Sequence, residues 1–150
     1  MTKDIFVFIE QRGGVVLPAA MQAITAATQL AGKTGGKVVA GIIGHSLGAV
    51  ADKLDGTGVA TTYVADSDAL ANYNALKYSR TLAGMIQKAD PQVVLMAASF
   101  MGRDIAPRVA VRLNAGLATD CTELEVEGSG ALVVRRPIYN GKASSRVHFS

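Results

Sequence analysis

Residues 93–113 have the sequence VVLMAASFMGRDIAPRVAVRL, and this stretch decides the fold class. Its first five residues form a short apolar run, which predicts a buried β-strand. After the loop at residues 99–103 we expect a helix whose N-cap is Asp104 and whose first turn contains Pro107. A buried strand followed directly by a helix is the repeating unit of α/β proteins with a parallel sheet.

The same alternation of strand and helix patterns extends back to the N-terminus. Each predicted strand is a short apolar run, as expected when helices cover both faces of a sheet. Successive units of this kind form a parallel sheet through right-handed crossovers. The predicted strands are residues 5–9, 37–43, 61–64 and 93–97, and the predicted helices are residues 18–31, 47–54, 78–89 and 104–113.

The C-terminal part of the chain, residues 119–148, has no helical period and predicts antiparallel strands. The expected strands are residues 121–126, 132–136 and 145–149, with hairpin-type turns at 128–130 and 140–141. The sequence therefore predicts a three-layer α/β/α fold with a mainly parallel sheet, followed by antiparallel strands. No domain boundary is visible, so residues 1–150 are expected to form one domain.

Composition and charge exclude several classes of protein. The chain has 150 residues, and its 49% hydrophobic and 18% charged residues exclude intrinsic disorder. The net charge of +3 is scattered, which excludes a nucleic-acid-binding face, and no apolar run is long enough to span a membrane. The single cysteine, Cys121, excludes a disulfide framework, and the N-terminus has no signal-peptide pattern. We therefore expect a soluble, cytoplasmic protein that does not insert into a membrane.

Residues 44–48, GHSLG, match the G-x-S-x-G pattern of a nucleophile elbow and lie between a predicted strand and a predicted helix. A hydrolase would use Ser46 as its nucleophile, with a later aspartate and His148 completing the triad. However, only one strand and one helix precede the pattern, and such a hydrolase needs several strands and an oxyanion-hole loop first. We interpret Ser46 as a turn residue and keep a small serine hydrolase as an alternative function.

Patterns for phosphate and metal binding are weaker. Residues 32–34, GKT, resemble the end of a P-loop, but the first glycine of that motif would fall at Ala27, inside a helix. No G-x-G-x-x-G pattern supports a dinucleotide site. His45 and His148 lie far apart, and no Cys or His pair has metal-ligand spacing, so we expect no metal site. Cys121 is expected to be a small strand residue.

The loops after the predicted parallel strands are the best candidates for a binding site, because ligands of open parallel sheets gather at the carboxyl ends of the strands. Gly102 and Arg103 are expected at the N-terminus of the helix that follows the fourth strand, a place that favours anions. The alternative is a structural ion pair between Arg103 and Asp104. A stand-alone adenine-nucleotide-binding domain remains a further alternative, since related sheets bind nucleotides at their strand ends.

Several segments, taken in order, resemble one protein family over essentially the whole chain. The most specific is residues 97–113, AASFMGRDIAPRVAVRL. The other segments are residues 5–10 (IFVFIE), 26–30 (AATQL), 38–41 (VVAG), 78–82 (YSRTL), 117–121 (LATDC) and 136–142 (RPIYNGK). In this order and spacing they resemble the N-terminal domain of the electron transfer flavoprotein α subunit.

The resemblance implies a Rossmann-like fold, of the adenine nucleotide alpha hydrolase-like type, and an electron carrier rather than an enzyme. It implies a heterodimer with an electron transfer flavoprotein β subunit. That heterodimer binds FAD, takes electrons from acyl-CoA or related dehydrogenases, and passes them to a quinone oxidoreductase. Most FAD contacts of the family lie in a C-terminal domain, so we expect this chain to be a truncated N-terminal domain that binds no FAD alone. Gly102 and Arg103 are its candidate cofactor contacts.

Overall fold

The computed structural model describes residues 2–149 and contains a four-stranded parallel sheet, a hairpin and a three-stranded antiparallel sheet. In chain order, the elements are β1 (Ile5–Ile9), β2 (Gln11–Arg12), β3 (Val15–Val16), α1 (Pro18–Thr34), β4 (Val38–Gly44), α2 (Gly48–Asp52), β5 (Val59–Asp66), α3 (Ala75–Ala89), β6 (Val93–Leu95), α4 (Phe100–Leu113), β7 (Glu123–Val126), β8 (Leu132–Ile138) and β9 (Ala143–His148). A short 3-10 helix, Asp68–Leu70, precedes α3.

The parallel sheet has the strand order β5-β4-β1-β6, so the first strand of the chain lies inside the sheet. On one side Ile5 pairs with Val38, and on the other side Ile5 pairs with Val93. All five residues of β1 are buried, which explains why its sequence is continuously apolar. The predicted parallel sheet is confirmed.

Two layers of helices cover the sheet, one on each face. Ile5, Val7 and Ile9 point to the face that packs against α1 and α2. Phe6 and Phe8, the alternate residues of the same strand, point to the face that packs against α3 and α4. The predicted three-layer arrangement is therefore confirmed, and the two layers come from successive halves of the chain.

Residues with positive φ end the long helices. Helix α1 continues past Gly32 and ends where Gly35 adopts a φ of 74° and its N–H bonds to the carbonyl of Ala31. Helix α3 ends at Asp90, whose φ is 47° and whose N–H bonds to Ile86. Both ends agree with the predicted helices to within a turn. Within residues 2–149, no helix has the length and apolar character needed to cross a bilayer.

The start of α4 differs from the prediction. The N-cap is Ser99, not Asp104, so the cap lies five residues earlier than expected. Pro107 consequently lies inside the helix instead of in its first turn. A proline there has no N–H to donate to the carbonyl four residues earlier, which belongs to Arg103. Pro107 is on the solvent-exposed side, where water can replace the missing donor.

The antiparallel strands β7, β8 and β9 form a separate sheet, as predicted, with shifted ends. Leu124, Val126 and Leu132 turn one face of this sheet toward the core beside α1. Cys121 lies just before β7 instead of inside a strand, because Asp120 takes a positive φ of 54° and turns the chain there.

The hairpin of β2 and β3 was not predicted from the sequence. Its two strands are only two residues long each and are joined by Gly13 and Gly14. Both glycines have positive φ values, 55° and 80°, as a tight two-residue hairpin turn requires.

Candidate functional site

The carboxyl ends of the parallel strands lie at one edge of the sheet. Helix α1, on one face, connects β1 to its neighbour β4, and α4, on the opposite face, follows its other neighbour, β6. The connections therefore leave this edge of the sheet in opposite directions, and ligands of α/β proteins bind at edges of this kind. Glu10, the residue after β1, and Ser99, the N-cap of α4, both lie at this edge.

Glu10 is a buried acidic residue at this edge of the sheet. Its exposed fraction is 3%, and its Oε1 accepts a hydrogen bond from the hydroxyl of Ser99 at 2.5 Å. The Ser99 oxygen in turn accepts the backbone N–H of Gly102 at 2.9 Å. The carboxylate of one strand end is thus tied to the N-terminus of the helix that follows the neighbouring strand. This role of Glu10 was not predicted from the sequence. The signal that could have indicated it is an acidic residue directly after an apolar strand.

A second polar cluster involves the first turns of α4. The Tyr73 hydroxyl donates to Asp104 Oδ2 at 2.5 Å, and Arg108 Nε lies 3.3 Å from Asp104 Oδ1. Burial, followed by the hydrogen bond and charge of Asp104, raises the pKa of Tyr73. The Tyr73 bond and then Arg108 hold the pKa of Asp104 below its ordinary value. Asp104 therefore pairs with Arg108 within α4, and the predicted N-cap role of Asp104 is wrong.

Gly102 and Arg103, the candidate cofactor contacts, lie in the first turn of α4. The N–H of Gly102 is occupied by Ser99, and a side chain at Gly102 would overlap the carbonyl oxygen of Ala97. Arg103 Nη2 lies 2.8 Å from Asp120 Oδ1. Arg103 therefore pairs with Asp120, and the alternative ion pair between Arg103 and Asp104 does not form. Both members of the Arg103–Asp120 pair are about half exposed. A contact between Arg103 and a cofactor stays a prediction.

The GHSLG loop is held by a carboxylate from the next strand. Asp66, the last residue of β5, accepts the N–H groups of Ser46 and Leu47, both at 2.7 Å. The bonds from Leu47 and then Ser46 lower the pKa of Asp66, against a contribution from burial that raises it. Ser46 has a φ of 57°. The N–H after the serine, which an elbow would offer to an oxyanion, already carries this hydrogen bond.

The two histidines lie in different surroundings. His45 Nδ1 lies 3.0 Å from Asp68 Oδ1, beside the GHSLG loop. His148 belongs to β9 of the antiparallel sheet, and its Nδ1 lies 3.8 Å from Glu127 Oε1. The nearest carboxylate in these contacts is that of Asp68, in the 3-10 helix, for His45 and that of Glu127, which follows β7, for His148. This geometry fits the interpretation of Ser46 as a turn residue.

The remaining sequence patterns also lie in structural positions. Residues 32–34, GKT, belong to the last turns of α1 and form no phosphate loop. Cys121 is half-buried, and its burial raises the pKa of its thiol. In the described part of the chain, residues 2–149, no three His, Cys, Asp or Glu side chains come together in a way that could hold a metal ion.

The chemistry of this strand-end edge is acidic. The carboxylates of Glu10, Asp66 and Asp104 lie along it, and the amides of Ser46, Leu47 and Gly102 are already bonded within the chain. A dinucleotide pyrophosphate needs free N–H groups or cations. These carboxylates and bonded amides do not fit the pyrophosphate of FAD, whereas Arg103, which is exposed beside Asp120, is a cation at this edge.

Comparison with known proteins identifies the family. Residues 5–150 match the electron transfer flavoprotein domain. The electron transfer flavoprotein α subunit of Thermoanaerobacterium thermosaccharolyticum is 37% identical over 145 residues, 97% of this chain and 44% of that relative. The acryloyl-CoA reductase electron transfer subunit β of Anaerotignum propionicum is 35% identical over 83% of this chain and 34% of its own length. Protein FixB of Rhizobium meliloti is 33% identical over 93% of this chain and 40% of its own length.

The chain thus spans less than half the length of these curated relatives, while the family match covers nearly all of its own residues. The parallel sheet with two helical layers and the C-terminal antiparallel strands are the fold that the resemblance implied. The chain belongs to the electron transfer flavoprotein domain family, and its similarity is to the α subunit.

Proposed function

We propose that this chain is the N-terminal scaffold and partner-binding domain of an electron transfer flavoprotein α subunit. It works as part of an electron carrier and is not itself an enzyme. The observation that carries this proposal is the match of residues 5–150 to the electron transfer flavoprotein domain. In the proposed assembly, a β subunit completes the heterodimer, and the complex passes electrons from acyl-CoA-type dehydrogenases toward the respiratory chain.

The name of the relative from Anaerotignum propionicum, an acryloyl-CoA reductase electron transfer subunit, supports an acyl-CoA-linked donor. We include a quinone oxidoreductase as the electron acceptor because the family resemblance implies one. Both partners are proteins, so the domain must offer surfaces for docking in addition to a folded core. FAD, when bound in the complete assembly, supplies the site that accepts and releases the electrons.

The contacts at the strand ends support a scaffold role in preference to a flavin-binding role for this domain. The Gly102 amide is bonded to Ser99, and the amides of Ser46 and Leu47 are bonded to Asp66. Arg103 is the exception, because its partner Asp120 is nearly as exposed as Arg103 itself and the pair can open. We therefore place the main FAD contacts outside this chain and retain Arg103 as a contributor from its edge.

The first experiment measures flavin absorbance of the purified 150-residue chain. We expect a colourless protein that passes no electrons to dichlorophenolindophenol when an acyl-CoA dehydrogenase and its substrate are present as the donor. Joining the chain to the C-terminal part of the relative from Thermoanaerobacterium thermosaccharolyticum, and co-expressing that relative's β subunit, is expected to give a yellow heterodimer. Stoichiometric FAD on the isolated chain would contradict the scaffold role.

A matched pair of variants tests Arg103 in that heterodimer. Arg103→Ala is expected to weaken FAD retention on dialysis, whereas Arg112→Ala, an exposed arginine in the last turn of the same helix, is expected to leave it unchanged. Equal retention in both variants would remove Arg103 from the cofactor contacts without affecting the scaffold proposal.

The two alternative functions give different signals. Labelling of Ser46 by a fluorophosphonate probe would support a hydrolase. A rise in melting temperature with adenine nucleotides would support a stand-alone nucleotide-binding domain, because a ligand selective for the folded state stabilises it. We expect neither signal, since carboxylates line the strand ends where a phosphate would lie.

A further inference from the structure

Glu10 is a buried carboxylate that has no cation beside it. Nearly all of its side chain is buried, yet no Lys, Arg or His nitrogen of residues 2–149 lies within salt-bridge distance of its oxygens. Its partner is the hydroxyl of Ser99, which links it to the N-terminal end of α4. Burying a charge is costly unless a paired charge and further hydrogen bonds compensate. Ser99 supplies only part of that compensation.

The two oxygens of Glu10 are occupied differently. Oε1 accepts the bond from Ser99, whereas Oε2 accepts no hydrogen bond from any residue in the described part of the chain. Oε2 is not sealed inside the protein, because Arg136 Nε is the fully buried side-chain polar atom without a partner among residues 2–149. Glu10 directly follows β1. One acceptor atom is therefore open to a donor that arrives at the carboxyl edge of the parallel strands.

The groups near Glu10 make this position negative. The Tyr73 hydroxyl donates to Asp104, so its proton is not directed to Glu10. Burial and the contacts with Asp104 are the main causes that raise the pKa of Tyr73, and the charge of Glu10 adds to them. Glu10 and Asp104 therefore act on the same hydroxyl. Arg108 is already paired with Asp104, which leaves the charge of Glu10 without a counterion.

These surroundings select one class of ligand group. An anion would meet two carboxylates and a Gly102 amide that is already bonded to Ser99. A metal ion would need more ligands, and no group of three His, Cys, Asp or Glu side chains suits one within residues 2–149. An apolar group would cover Oε2 and leave it without a hydrogen bond. An ammonium or guanidinium group supplies both a positive charge and N–H donors.

We propose that Glu10 is a docking carboxylate, whose Oε2 accepts a charge-assisted hydrogen bond from a lysine or arginine side chain of a partner polypeptide that covers the strand-end edge. This inference rests on the proposed function, because the partner is a part of the assembled electron carrier. The matched residues make up only 44% of the α subunit of Thermoanaerobacterium thermosaccharolyticum, so that relative has further polypeptide that could cover this edge. The β subunit of the heterodimer is the other source.

Glu10→Gln tests the proposal in two contexts. Glutamine keeps an oxygen for the Ser99 hydroxyl and removes the charge. In the isolated chain, the melting temperature should stay the same or rise, because an uncompensated buried charge is gone. In the heterodimer built with the C-terminal part and β subunit of the relative from Thermoanaerobacterium thermosaccharolyticum, the melting temperature should fall, because the partner cation loses its carboxylate.

The matched control is Asp68→Asn. Asp68 is a largely exposed carboxylate that follows β5 and contacts His45. Its substitution should leave both melting temperatures unchanged. An equal loss for Glu10→Gln in the isolated chain and in the heterodimer would show a structural role only and overturn the proposal. Failure of the unmodified chain to form any heterodimer would instead contradict the proposed function.

A second experiment needs no partner and uses small cations as probes. The carboxyl carbon of Glu10 is followed by NMR in the isolated chain during titration with methylguanidinium chloride. We expect a saturable change in its chemical shift. Tetramethylammonium chloride at equal ionic strength is the control, and it should give no such change because this cation has no N–H donor. Equal responses to the two cations, or no response to either, would overturn the assignment of Oε2 as an open acceptor for a cationic donor.

Discussion

The turn after β4 and the turn after β6 both carry a parallel strand into a helix at the same edge of the sheet, but they are stabilised over different distances along the chain. In the first, Asp66 reaches from the end of β5 and accepts the amides of Ser46 and Leu47. In the second, Ser99 lies directly before α4 and accepts the amide of Gly102. One turn depends on a neighbouring strand, and the other turn carries its own cap.

Both turns join a parallel strand to a helix, but their stability responds to different changes. A carboxylate clamp titrates, so the first turn responds to acid. A serine cap does not titrate, but the hydroxyl of Ser99 also serves the buried Glu10, so the second turn couples helix α4 to strand β1. The second turn is also the more crowded, because Gly102 approaches the carbonyl of Ala97 too closely for any side chain. Substitutions should therefore cost more in the second turn than in the first.

The largest effect is expected for Gly102→Ala. The added methyl group would overlap the backbone oxygen of Ala97, which cannot move without shifting the strand end. We expect a loss of about 3 kcal/mol in the free energy of unfolding, measured by urea denaturation. The control is Gly48→Ala in the first turn, where a new Cβ meets nothing within 4 Å. The free energy of unfolding of Gly48→Ala should be unchanged or higher by up to about 1 kcal/mol, because alanine favours helix more than glycine does. A comparable loss in both variants would contradict the difference between the two turns.

A smaller loss is expected for Ser99→Ala. Removing the cap costs about 1 kcal/mol, and leaving Glu10 without its hydroxyl partner adds a similar amount, so we expect about 2 kcal/mol in total. In a Glu10→Met background the second contribution should vanish, and Ser99→Ala should cost only the cap. A double-mutant cycle with no coupling energy would show that Glu10 and Ser99 act independently.

The clamp of the first turn is tested by Asp66→Asn and by pH. The pKa of Asp66 is lowered from 3.8 by the amides of Leu47 and Ser46. Because the pKa of this carboxyl is lower in the folded state than in the unfolded state, the ionised group stabilises the fold at any pH above its unfolded-state pKa. That stabilisation is lost as the pH falls through its folded-state pKa. The urea midpoint of Asp66→Asn should therefore be lower than that of the unmodified chain at pH 7, and the two should converge in acid. A gap that persists unchanged at the lowest pH would contradict the clamp.

The smallest effect is expected for Ser46→Ala. The side chain is exposed, and the loop is held through the backbone, so stability should change by no more than about 0.5 kcal/mol. Ser46→Gly is the informative companion, because it relieves a positive φ of 57° and should be at least as stable as Ser46→Ala. Covalent labelling of Ser46 by a serine-hydrolase probe, lost in Ser46→Ala, would reopen the nucleophile interpretation.

The strands and long helices could be predicted because their signals are local. The run at Ile5–Ile9 is buried on both faces, and its continuously apolar sequence indicates this burial. Helix α3 shows the spacing of one apolar face, from Tyr78 to Ile86, and ends before Pro91 as expected. Such patterns need no knowledge of what lies across the fold.

The contacts of the two turns could not be predicted in the same way. Asp104 and Ser99 are both good N-cap residues, and the choice between them depends on the packing of Gly102 against Ala97 and on Tyr73 reaching Asp104 from another loop. The Asp66 clamp follows from the parallel register that places Gly44 beside Asp66. Neither relation is visible until the strands are paired.

The division of the two helical layers between the halves of the chain has a consequence during synthesis on the ribosome. Once residues up to Asp66 have emerged, three adjacent strands and the helices of one layer are available. The aromatic side chains of Phe6 and Phe8, on the other face, must wait for α3 and α4, and the β1 edge must wait for β6. A nascent chain at that stage presents apolar surface and an open strand edge, the features that recruit chaperones and cause misassembly. The speed with which the second half is translated therefore sets how long this domain is exposed to that hazard.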